Sequence, residues 1–571
     1  MIYTKHSSMA KKHNNVNSKM IFQDYYVESD YEYVTSKLPD IIKDAARKAG
    51  ELIEPTIHER IKVMNDIRQF IKEKGRKVYG GTAINEAIKA VEPEDAIYDD
   101  YNFSDIEIYS PTPRVDLVEM VNMLYEKGYK HPSGSEAQHD ETYSIFVNFQ
   151  LYCDITYVPL HIYNSIKTIE IDGIKYTHPH FIFIDQLRII NQPLTAAEFK
   201  WEKTFHRMYK LLKNYPLEYY NIPIRMPEPP VECSKLMNAI KRTFLSDKFN
   251  QETCLISGFD AYNFFIKHAI QDKSVEQMAR QSYGSAKIAS YIVKVPYMEI
   301  ISVNFRETVE RIYNFIRSTA PDKSQVTMEE YFPLFQFTGY SVIILYNKNP
   351  VVKVIEADGF CIPNIKTRNG YMYVSFQYTM MIILINQFRS YLNKDRVMYK
   401  NYKIALSNLV SARNEYLNRN KLEVINNTVF GEFKVGCIGS TSSYSHESRV
   451  RQLENFKQGK RRFRYLPDEF FAQSKEAQEK FDPSKFNFKN TSGNQIFNES
   501  NKLFKIDSDG NIIKYENVNV FDDPDTDDDT VVSVDLDDSS SESSSDDTLS
   551  RPHIDKSTVV LDEDSLSEID L

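Results

Sequence analysis

The stretch FSDIEIYS, residues 103–110, places two acids inside a segment that otherwise has the pattern of a buried β-strand. Side chains of an extended chain alternate between two faces, so Asp105 and Glu107 point to one face and Ile106 and Ile108 to the other. Neighbouring carboxylates in such a place need a cation, a basic partner or water, because unpaired buried charge is costly. The segments around this strand indicate which partner these acids have.

Those neighbouring segments predict an α/β (α+β) fold. The strand KVYG (77–80) runs into GGTAIN (80–85), where a helix begins directly after two glycines. Downstream, RVDLVEMVNMLYEKG (114–128) has helical periodicity and closes at a glycine, and SIFVNFQLYCDITYVP (144–159) predicts one long strand run. This run carries a third acid, Asp154, among apolar residues.

The turn formed by Gly80, Gly81 and Thr82 has the features of a phosphate-binding turn. Glycines between a strand and a helix allow the backbone to approach a phosphate closely. The first turn of the helix supplies free N–H groups and the positive end of the helix dipole. The Thr82 hydroxyl adds one more donor, so the turn is predicted to hold a polyphosphate.

The three acids have the chemical character of a site for two divalent metal ions. Carboxylates of Asp105, Glu107 and Asp154 that converge from adjacent strands can hold two Mg²⁺ ions, which prefer oxygen ligands and keep positions open for substrate phosphates. One ion would lower the pKa of an attacking hydroxyl, and the other would stabilise a pyrophosphate leaving group. The combination with the glycine turn predicts nucleotidyl transfer.

The second half of the chain repeats the order of the first half, which suggests a duplication. Three pairs of blocks correspond, with imperfect spacing between them: VYGGTAINEAIK (78–89) and LISGFDAYNFFIK (255–267), SDIEIYSPTPRVDLVEMVNML (104–124) and PYMEIISVNFRETVERIYNFI (296–316), IEIDGIKYTHPHFIFIDQLRIINQ (169–192) and PNIKTRNGYMYVSFQYTMMIILINQ (363–387).

The second copy differs from the first in its acids. Glu299 matches Glu107, but Tyr297 falls where Asp105 stands. In the third strand of the copy, NPVVKVIEAD (349–358), the register is ambiguous and no residue can be matched to Asp154. The second copy is therefore predicted to lack catalytic activity.

The formal net charge of −10 over 571 residues combines two opposite parts. The segment 521–571 carries 18 acidic residues against Arg551 and Lys556, so residues 1–520 have a net charge of about +6. The segment has few large apolar groups and is expected to be disordered. It is either a solubilising extension or a segment that screens a basic surface.

Cysteine usage and hydropathy point to a soluble intracellular protein. The five cysteines are far apart and form no CxxC pair, which argues against a disulfide framework and a zinc site. They are expected to be reduced. No segment approaches the ~18 apolar residues of a membrane span, and the first residues lack the apolar core of a signal peptide.

A basic and aromatic stretch, RVRQLENFKQGKRRFRYLPDEFF (449–471), predicts a surface that binds RNA. Lys and Arg neutralise backbone phosphates, and Phe463 and Tyr465 could stack on bases. A solvated basic loop is the alternative. The predicted RNA-binding residues are Arg449, Arg451, Lys460, Arg461, Arg462 and Arg464.

The glycine turn and the three acids together resemble the DNA polymerase β-like nucleotidyltransferase superfamily, whose signature is G-G-[ST], then D-x-[DE], then a distant acid. Glu107 departs from the commoner Asp in the second acidic place. The segments GGTAIN, FSDIEIYS, LYCDITYVP and KWEKTFHRMYKLL (200–212), in this order, look like the catalytic poly(A) polymerases of nucleocytoplasmic large DNA viruses, especially those of amoebal giant viruses. The resemblance covers about 50–215, and the second copy extends it to about 430.

The resemblance implies a template-independent enzyme that adds AMP from ATP to the 3′ end of single-stranded mRNA, with two Mg²⁺ or Mn²⁺ ions. It implies that Asp105 and Glu107 bind both ions and that Asp154 binds the ion next to the RNA 3′-hydroxyl. ATP is assigned to Gly80, Gly81, Thr82 and Asn85. Lys203 and Arg207, one helical turn apart, could also face the phosphates. An ordinary amphipathic helix around Trp201 is the alternative for this pair.

These observations predict five regions: an N-terminal helical region (1–50), a catalytic lobe (51–215), a degenerate second lobe (216–430), a basic RNA-binding region (431–520) and an acidic tail (521–571). Each of the two lobes is expected to contain a mixed sheet. The second lobe is expected to hold the growing tail, with a homodimer as one arrangement.

Two other functions remain open at the sequence level. A CCA-adding or uridylyl-adding enzyme would share the same motif, because the motif does not encode nucleotide choice. A non-catalytic RNA-binding processivity subunit is disfavoured by the presence of all three acids. The viral resemblance implies the host cytoplasm, in the viral factory, and packaging in the virion, and no membrane partner is expected.

Overall fold

The computed structural model describes residues 25–98, 104–139, 141–270, 287–357, 359–457, 463–481, 483, 503–507 and 510–513. The chain divides into two compact units, Met1–Lys62 and Val63–Leu571. The first unit contains helix α1 (Glu28–Leu52), which buries none of its residues. The predicted acidic tail, 521–571, lies outside the described residues. The boundaries of the five predicted regions remain predictions.

The second unit contains two eight-stranded sheets. The first sheet has the strand order β16-β3-β4-β5-β2-β1-β7-β6. Its strands are β1 (Lys77–Tyr79), β2 (Ile106–Ser110), β3 (Ser133–Glu136), β4 (Thr142–Val147), β5 (Gln150–Tyr157), β6 (Thr168–Ile171), β7 (Ile174–Thr177) and β16 (Arg464–Tyr465). It contains both parallel and antiparallel pairs, so the prediction of a mixed sheet is confirmed.

The helices of the first half lie before, between and after these strands in the sequence. They are α2 (Ile57–Lys74), α3 (Gly80–Lys89), α4 (Pro113–Glu126), α5 (Leu160–Ser165), α6 (Pro179–Ile190) and α7 (Ala197–Asn214). On β2, Ile106 and Ile108 are buried to 1% and 0% exposure, as the alternation of the strand predicts. The apolar face of the strand therefore lies in the core, and its acidic face is left for the site.

The predicted long strand run of 144–159 is wrong, because the structure divides it into β4 and β5. The two strands pair antiparallel and turn at Asn148 and Phe149, whose φ angles are +50° and +64°. A two-residue hairpin turn with two positive φ angles matches the right-handed twist of the strands. Phenylalanine is an unusual residue at such a position, which explains why the sequence pattern concealed the turn.

The second sheet has the strand order β10-β11-β12-β9-β8-β14-β13-β15, and its first seven strands repeat the order of the last seven of the first sheet. The eighth strand, β15, lies at the edge opposite to that of β16. Its strands are β8 (Cys254–Ser257), β9 (Met298–Ser302), β10 (Val326–Tyr331), β11 (Ser341–Tyr346), β12 (Asn349–Glu356), β13 (Cys361–Lys366), β14 (Met372–Val374) and β15 (Cys437–Gly439). β8 takes the place of β1, β9 that of β2, and β12 that of β5, with the same parallel and antiparallel pairings. The predicted duplication and second lobe are therefore confirmed.

The helices of the second half include counterparts of α3, α4, α6 and α7. They are α8 (Val231–Ala239), α9 (Lys248–Thr253), α10 (Gly258–Ile270), α11 (Phe305–Thr319), α12 (Phe376–Leu392), α13 (Arg396–Asn420), α14 (Tyr444–Lys457), α15 (Pro467–Phe471) and α16 (Lys475–Lys480). A small hairpin pairs β17 (Lys505–Ile506) with β18 (Ile512–Ile513). Among the described helices, none combines the length and the apolar character that a membrane crossing requires.

The expectation that all cysteines are reduced is wrong for one pair. Cys361 and Cys437 form a disulfide between β13 and β15, with their Cα atoms 5.4 Å apart. The two residues are 76 positions apart in the sequence, so spacing alone gave no signal of the pairing. Cys153, Cys233 and Cys254 are free and buried, as expected.

Candidate active site

The three predicted acids lie on, or directly before, two adjacent strands of the first sheet, β2 and β5. β2 and β5 run parallel, and Glu107 stands opposite Asp154 in their register. Asp105 directly precedes β2 and, two residues before Glu107, belongs to the same face. The strand pairing thus brings Asp154 to the two acids of the β2 segment, although it lies far from them in the sequence.

The glycine turn touches the middle acid. The backbone N–H of Gly81 donates a hydrogen bond of 3.0 Å to Glu107 Oε2. Gly80 has φ +67°, and a Cβ atom on it would lie 1.5 Å from the same oxygen. The turn therefore needs glycine at position 80 for its backbone conformation and for the close approach of the glutamate.

The environment of Glu107 favours binding of a cation. Burial, together with the charges of Asp105 and Asp154, raises the pKa of Glu107 to about 8. The Gly81 N–H and the Arg207 charge act in the opposite direction but do not cancel this effect. A carboxylate that is costly to ionise beside two others gains most from a divalent cation.

The outer acids each have a serine partner. Ser104 Oγ donates to Asp105 Oδ1 over 2.8 Å, and Ser144 Oγ donates to Asp154 Oδ1 over 2.6 Å. Within the ranges that the structure covers, no three His, Cys, Asp or Glu side chains are close enough together to form a metal-binding group. The oxygen donors and their mutual repulsion nevertheless fit a hard divalent ion, which would draw the carboxylates together.

Thr82, in the turn, and Asn85, one helical turn later, both have hydrogen-bond partners within the protein. The Thr82 hydroxyl donates to the backbone oxygen of Asp105 over 3.0 Å, so it links the turn to the acidic strand. The amide oxygen of Asn85 accepts from the backbone N–H groups of Ile97 and Tyr98 over 2.8 and 3.0 Å. These contacts position Thr82 and Asn85 structurally, and their role towards ATP remains a prediction.

Helix α7 brings the cation of Arg207 to the turn. The Arg207 guanidinium donates a hydrogen bond to the Tyr98 hydroxyl and lies 5.7 Å from the centre of the Tyr98 ring. A Cβ atom on Gly81 would lie 2.4 Å from the Tyr98 hydroxyl and 3.0 Å from Arg207 Nη2. Lys203 is one turn away on the same helix and half-buried. Arg207 thus lies at the turn, and the roles of Arg207 and Lys203 towards ATP remain predictions.

The second lobe retains the glycine–glutamate pair but replaces the third acid with a lysine. Gly258 has φ +60°, and a Cβ on it would lie 2.6 Å from Glu299 Oε1. In the parallel pair of β9 and β12, Lys353 stands opposite Glu299, as Asp154 stands opposite Glu107 in the first lobe. The register that the sequence left ambiguous is thereby resolved.

Basic groups inside the second lobe occupy the place of a cation. Lys353 is only 5% exposed, and burial, together with the Arg389 charge, lowers its pKa to about 7, although Glu299 acts in the opposite direction. Asn386 Nδ2 lies 3.3 Å from each Glu299 oxygen. The electrostatic interaction of Glu299 with Lys353 and Arg389 places basic groups where a metal ion would bind, which supports the prediction that this lobe is chemically silent.

The predicted RNA-binding residues are divided between described and undescribed parts of the chain. Arg449 is exposed and Arg451 half-buried on α14, and the exposed Arg464 lies on β16, which pairs with β3 at the edge of the first sheet. Lys460, Arg461 and Arg462 lie outside the described residues. Their RNA-binding role remains a prediction.

The predicted base-stacking role of Tyr465 is wrong. Tyr465 is 4% exposed, and its hydroxyl donates to Asn122 over 2.7 Å. Phe463 packs with its ring 5.9 Å from that of Tyr143 and 5.1 Å from the Arg114 guanidinium. Phe463 and Tyr465 therefore attach the basic segment to the first sheet. Their spacing in the sequence indicates packing against the protein.

The sequence analysis missed Tyr98, Ser144 and Lys353 as residues of these two sites. Tyr98 follows a loop without periodicity, and Ser144 is identified only by the pairing of β4 with β5. Lys353 required the register of β12 on β9. A charged residue in the middle of the apolar run PVVKVI was the available signal for Lys353.

Comparisons with known proteins agree with this geometry. Residues 65–196 match the family model described as poly(A) polymerase catalytic subunit, and residues 232–506 match a model described as the C-terminal part of the poly(A) polymerase catalytic subunit. A protein of Acanthamoeba polyphaga mimivirus, described as a poly(A) polymerase catalytic subunit, is 54% identical over 504 residues, which cover 86% of each chain.

More distant and structural relatives point the same way. A protein of the same description from African swine fever virus (strain Badajoz 1971 Vero-adapted) is 31% identical over 160 residues, 28% of this chain and 33% of the relative. The crystal structure of the Megavirus polyadenylate synthase aligns with a TM-score of 0.81 at 56% identity. That alignment covers 88% of this chain and 98% of the solved one.

Proposed function

The chain belongs to the family of poly(A) polymerase catalytic subunits of large DNA viruses, and from this premise we propose how its first lobe performs adenylate transfer. The chain is a poly(A) polymerase, an enzyme that adds adenylates to RNA. The observation that carries the proposed site is the register of Glu107 opposite Asp154, beside a turn whose glycine admits the glutamate.

Asp105, Glu107 and Asp154 are the metal-binding and catalytic acids of this proposal. Two ions, Mg²⁺ or Mn²⁺, would supply activation of the RNA 3′-hydroxyl and neutralisation of the triphosphate charge. The raised pKa of Glu107 supports this assignment, because the carboxylates repel one another until a cation is bound. Ser104 and Ser144 orient the outer carboxylates through their hydroxyls.

The turn and α7 are the proposed ATP site. N–H groups at the start of α3 offer donors to the triphosphate, and Arg207 adds a positive charge next to Gly81. Lys203 and Asn85 complete the proposed set, Asn85 by holding the backbone of Ile97 and Tyr98. Transfer requires the RNA 3′-oxygen in line with the α-phosphorus, so the protein acts by positioning and charge stabilisation.

The test of the site is primer extension with the Asp154→Asn variant. Asparagine can still accept the hydrogen bond of Ser144, but it removes a metal ligand, and the rate of AMP incorporation should fall at least about 100-fold. RNA affinity should change little. The matched control is Asp172→Asn, an exposed residue with φ +53° that asparagine tolerates, and this control should retain full activity. Full activity of Asp154→Asn would refute the metal site.

The same assay decides nucleotide choice and the metal. Separate reactions with each of the four nucleoside triphosphates should give long products with ATP alone. Extension with CTP or UTP at a similar rate would favour the CCA-adding or uridylyl-adding alternatives. Mg²⁺ and Mn²⁺ added to metal-free protein should each restore activity, and the more effective ion is the physiological candidate.

The silent second lobe is proposed to hold the growing RNA, together with Arg449, Arg451 and Arg464, in a homodimer. The basic charge of residues 1–520 supports a phosphate-binding surface. Analytical ultracentrifugation should give a dimer that elongates without dissociating from its primer. A monomer that elongates processively would remove the dimer from the proposal.

We place the enzyme in the viral factory of the host cytoplasm and in the virion. The family membership supports this, because transcripts made by a cytoplasmic virus require adenylation at that site. Immunolocalisation in infected cells and proteomics of purified particles test the two places separately. A nuclear signal, or particles without the protein, would contradict the respective part.

A further inference from the structure

A cavity of about 220 Å³ lies away from the catalytic carboxylates, where helix α6 faces helices α12 and α13. We call it the α6–α13 cavity. Its walls are apolar: Phe181, Leu384, Phe388 and Leu406 are buried, and the rings of Phe181 and Phe388 meet at 5.0 Å. None of its lining residues belongs to the acids, the glycine turn or α7. The mechanism proposed above therefore leaves the cavity unexplained.

Positive groups and aromatic rings surround the cavity at its edge. The Lys167 ammonium lies 5.0 Å from the centre of the Tyr391 ring and 5.8 Å from that of Tyr399. The Lys403 ammonium lies 5.2 Å from the Tyr399 ring and also pairs with Glu218. Two cations against one carboxylate leave an excess of positive charge at this edge.

The ring of His178 in the cavity responds to its burial and to that charge. Burial, followed by the charges of His180, Lys167 and Lys403, lowers the pKa of His178 to about 4. His178 Nδ1 accepts from the backbone N–H of His180 over 3.2 Å, so Nε2 carries the proton of the neutral ring. His180 Nε2 donates to the Tyr215 carbonyl over 3.2 Å. The cavity thus offers an N–H donor in a positive field, which suits an anionic ligand.

The polar groups among the apolar walls distinguish between classes of ligand. Gln387 and Ser165 also line the cavity. A hydrocarbon chain would cover the Gln387 amide and the His178 N–H, which belong to half-buried residues, without offering either a hydrogen bond, and this is unfavourable. A flat heteroaromatic base satisfies both requirements, because its faces pack on apolar walls and its edge forms hydrogen bonds.

We propose that the α6–α13 cavity binds a single nucleoside phosphate, with its base between the apolar walls and its phosphate at Lys167 and Lys403. The nucleotide could come from two sources, free in solution or as one unit of a bound RNA strand. The size of the cavity, smaller than the ~300–1,000 Å³ of most ligand sites, suits one nucleotide unit and excludes a longer segment inside it.

The test measures binding of AMP and of a short oligo(A) to the full chain in EDTA, with Asp105→Ala as the common background. Chelation and this background exclude metal-dependent binding at the catalytic acids. The first variant is Lys167→Ala, an exposed position that should not affect folding. Its matched control is Lys127→Ala, an exposed lysine that pairs with Asp66 at 2.8 Å. The second variant, Gln387→Leu, keeps the shape and removes the polar edge.

Affinity for the true ligand should fall at least about tenfold in Lys167→Ala and in Gln387→Leu, and should be unchanged in Lys127→Ala. Loss of AMP binding identifies a free nucleotide as the source, whereas loss confined to oligo(A) identifies the RNA strand. Photolabelling with 8-azido-AMP, or with oligo(A) carrying the same group, should mark peptides containing Tyr391 or Tyr399. If neither probe loses affinity and neither labels α12 or α13, the proposal is overturned.

Discussion

At Gly80, the backbone conformation and the neighbouring acid both exclude any other residue. Its φ of +67° lies in the left-handed region, and its missing Cβ leaves space for Glu107 Oε2, which a Cβ would approach to 1.5 Å. Gly258 repeats both features against Glu299 in the lobe that has lost its other acids. The glycine therefore serves the packing of the glutamate, in addition to any role towards phosphate.

The first prediction uses glycine-to-alanine variants to separate the requirement for a positive φ from the requirement for space beside Glu107. Gly80→Ala should displace the Glu107 carboxylate and lower the rate of AMP incorporation about 100-fold, because small displacements of reacting groups cost this much. Gly128 has φ +77°, and no heavy atom of the described residues lies within 4 Å of its missing Cβ, so it provides a matched control. Gly128→Ala should cost about 1–2 kcal/mol of stability with activity retained. Equal activity of the two variants would contradict the role of the close approach.

The second prediction concerns the crowding over Gly81. A Cβ at this position would meet the Tyr98 hydroxyl at 2.4 Å, so Gly81→Ala should push Tyr98 and Arg207 away and lower kcat/KM for ATP. Tyr98→Phe removes the oxygen that clashes. The double variant should therefore recover part of the activity lost in Gly81→Ala, with a coupling of about 1 kcal/mol in a double-mutant cycle. Purely additive effects would show that Tyr98 is not the obstacle.

Among the elements, strands β9 and β12 show how the second lobe became silent. Their parallel register sets Lys353 opposite Glu299, where the first lobe sets an acid opposite an acid. The buried Lys353 faces the buried Glu299. A basic side chain of the protein itself thus takes the place that a metal ion would occupy in the first lobe. The strand framework is preserved while its ability to hold metal is removed.

The third prediction follows from the pKa of Lys353, lowered from 10.5 to about 7. Between these values the unfolded chain holds a proton on this residue that the folded chain lacks, so its contribution to folding stability rises with pH. The slope approaches about 1.4 kcal/mol per pH unit within that window and vanishes below it. Urea unfolding of Lys353→Met at several pH values should lack this slope relative to wild type.

Two outcomes of that unfolding series are informative. Lys127→Met is the control, because it removes an exposed lysine and should keep the wild-type slope. A wild-type slope in Lys353→Met would mean that the ammonium titrates near its ordinary pKa, and the lowered pKa of Lys353 would be contradicted.

The strands and helices that carry the glycine turn and the acids were predictable because local patterns encode them. The start of α3 after Tyr79, the alternation of β2 and the repeated blocks all rest on residues close together in sequence. The turn at Asn148–Phe149, the Lys353 register and the Cys361–Cys437 bond depend on strand pairing, which no local pattern reports. The basic aromatic stretch misled for the same reason, since β16 pairs with the distant β3.

For the molecule as a whole, two sheets that share the order of seven strands carry different charges at corresponding positions. The first sheet brings three carboxylates together, and the pKa of Glu107 is raised there. The second sheet instead places Lys353 beside its remaining glutamate, Glu299. Residues 1–520 carry a net charge of about +6 against −16 in 521–571. RNA and the acidic segment are both polyanions, so we expect them to compete for the same basic surface.

The last prediction tests this competition by deleting residues 521–571. Removal of 18 acidic residues should strengthen binding of oligo(A) severalfold at low salt, because the RNA no longer displaces an attached polyanion. The gain should shrink as salt rises, since screening weakens the segment's attraction to the body. The control keeps the full length but replaces the 18 acids by Asn and Gln, and it should bind RNA as tightly as the deletion. If the deletion strengthens binding and the neutral tail does not, excluded volume rather than charge is responsible. If neither variant differs from wild type at any salt concentration, the acidic segment does not cover the RNA surface and acts as a solubilising extension.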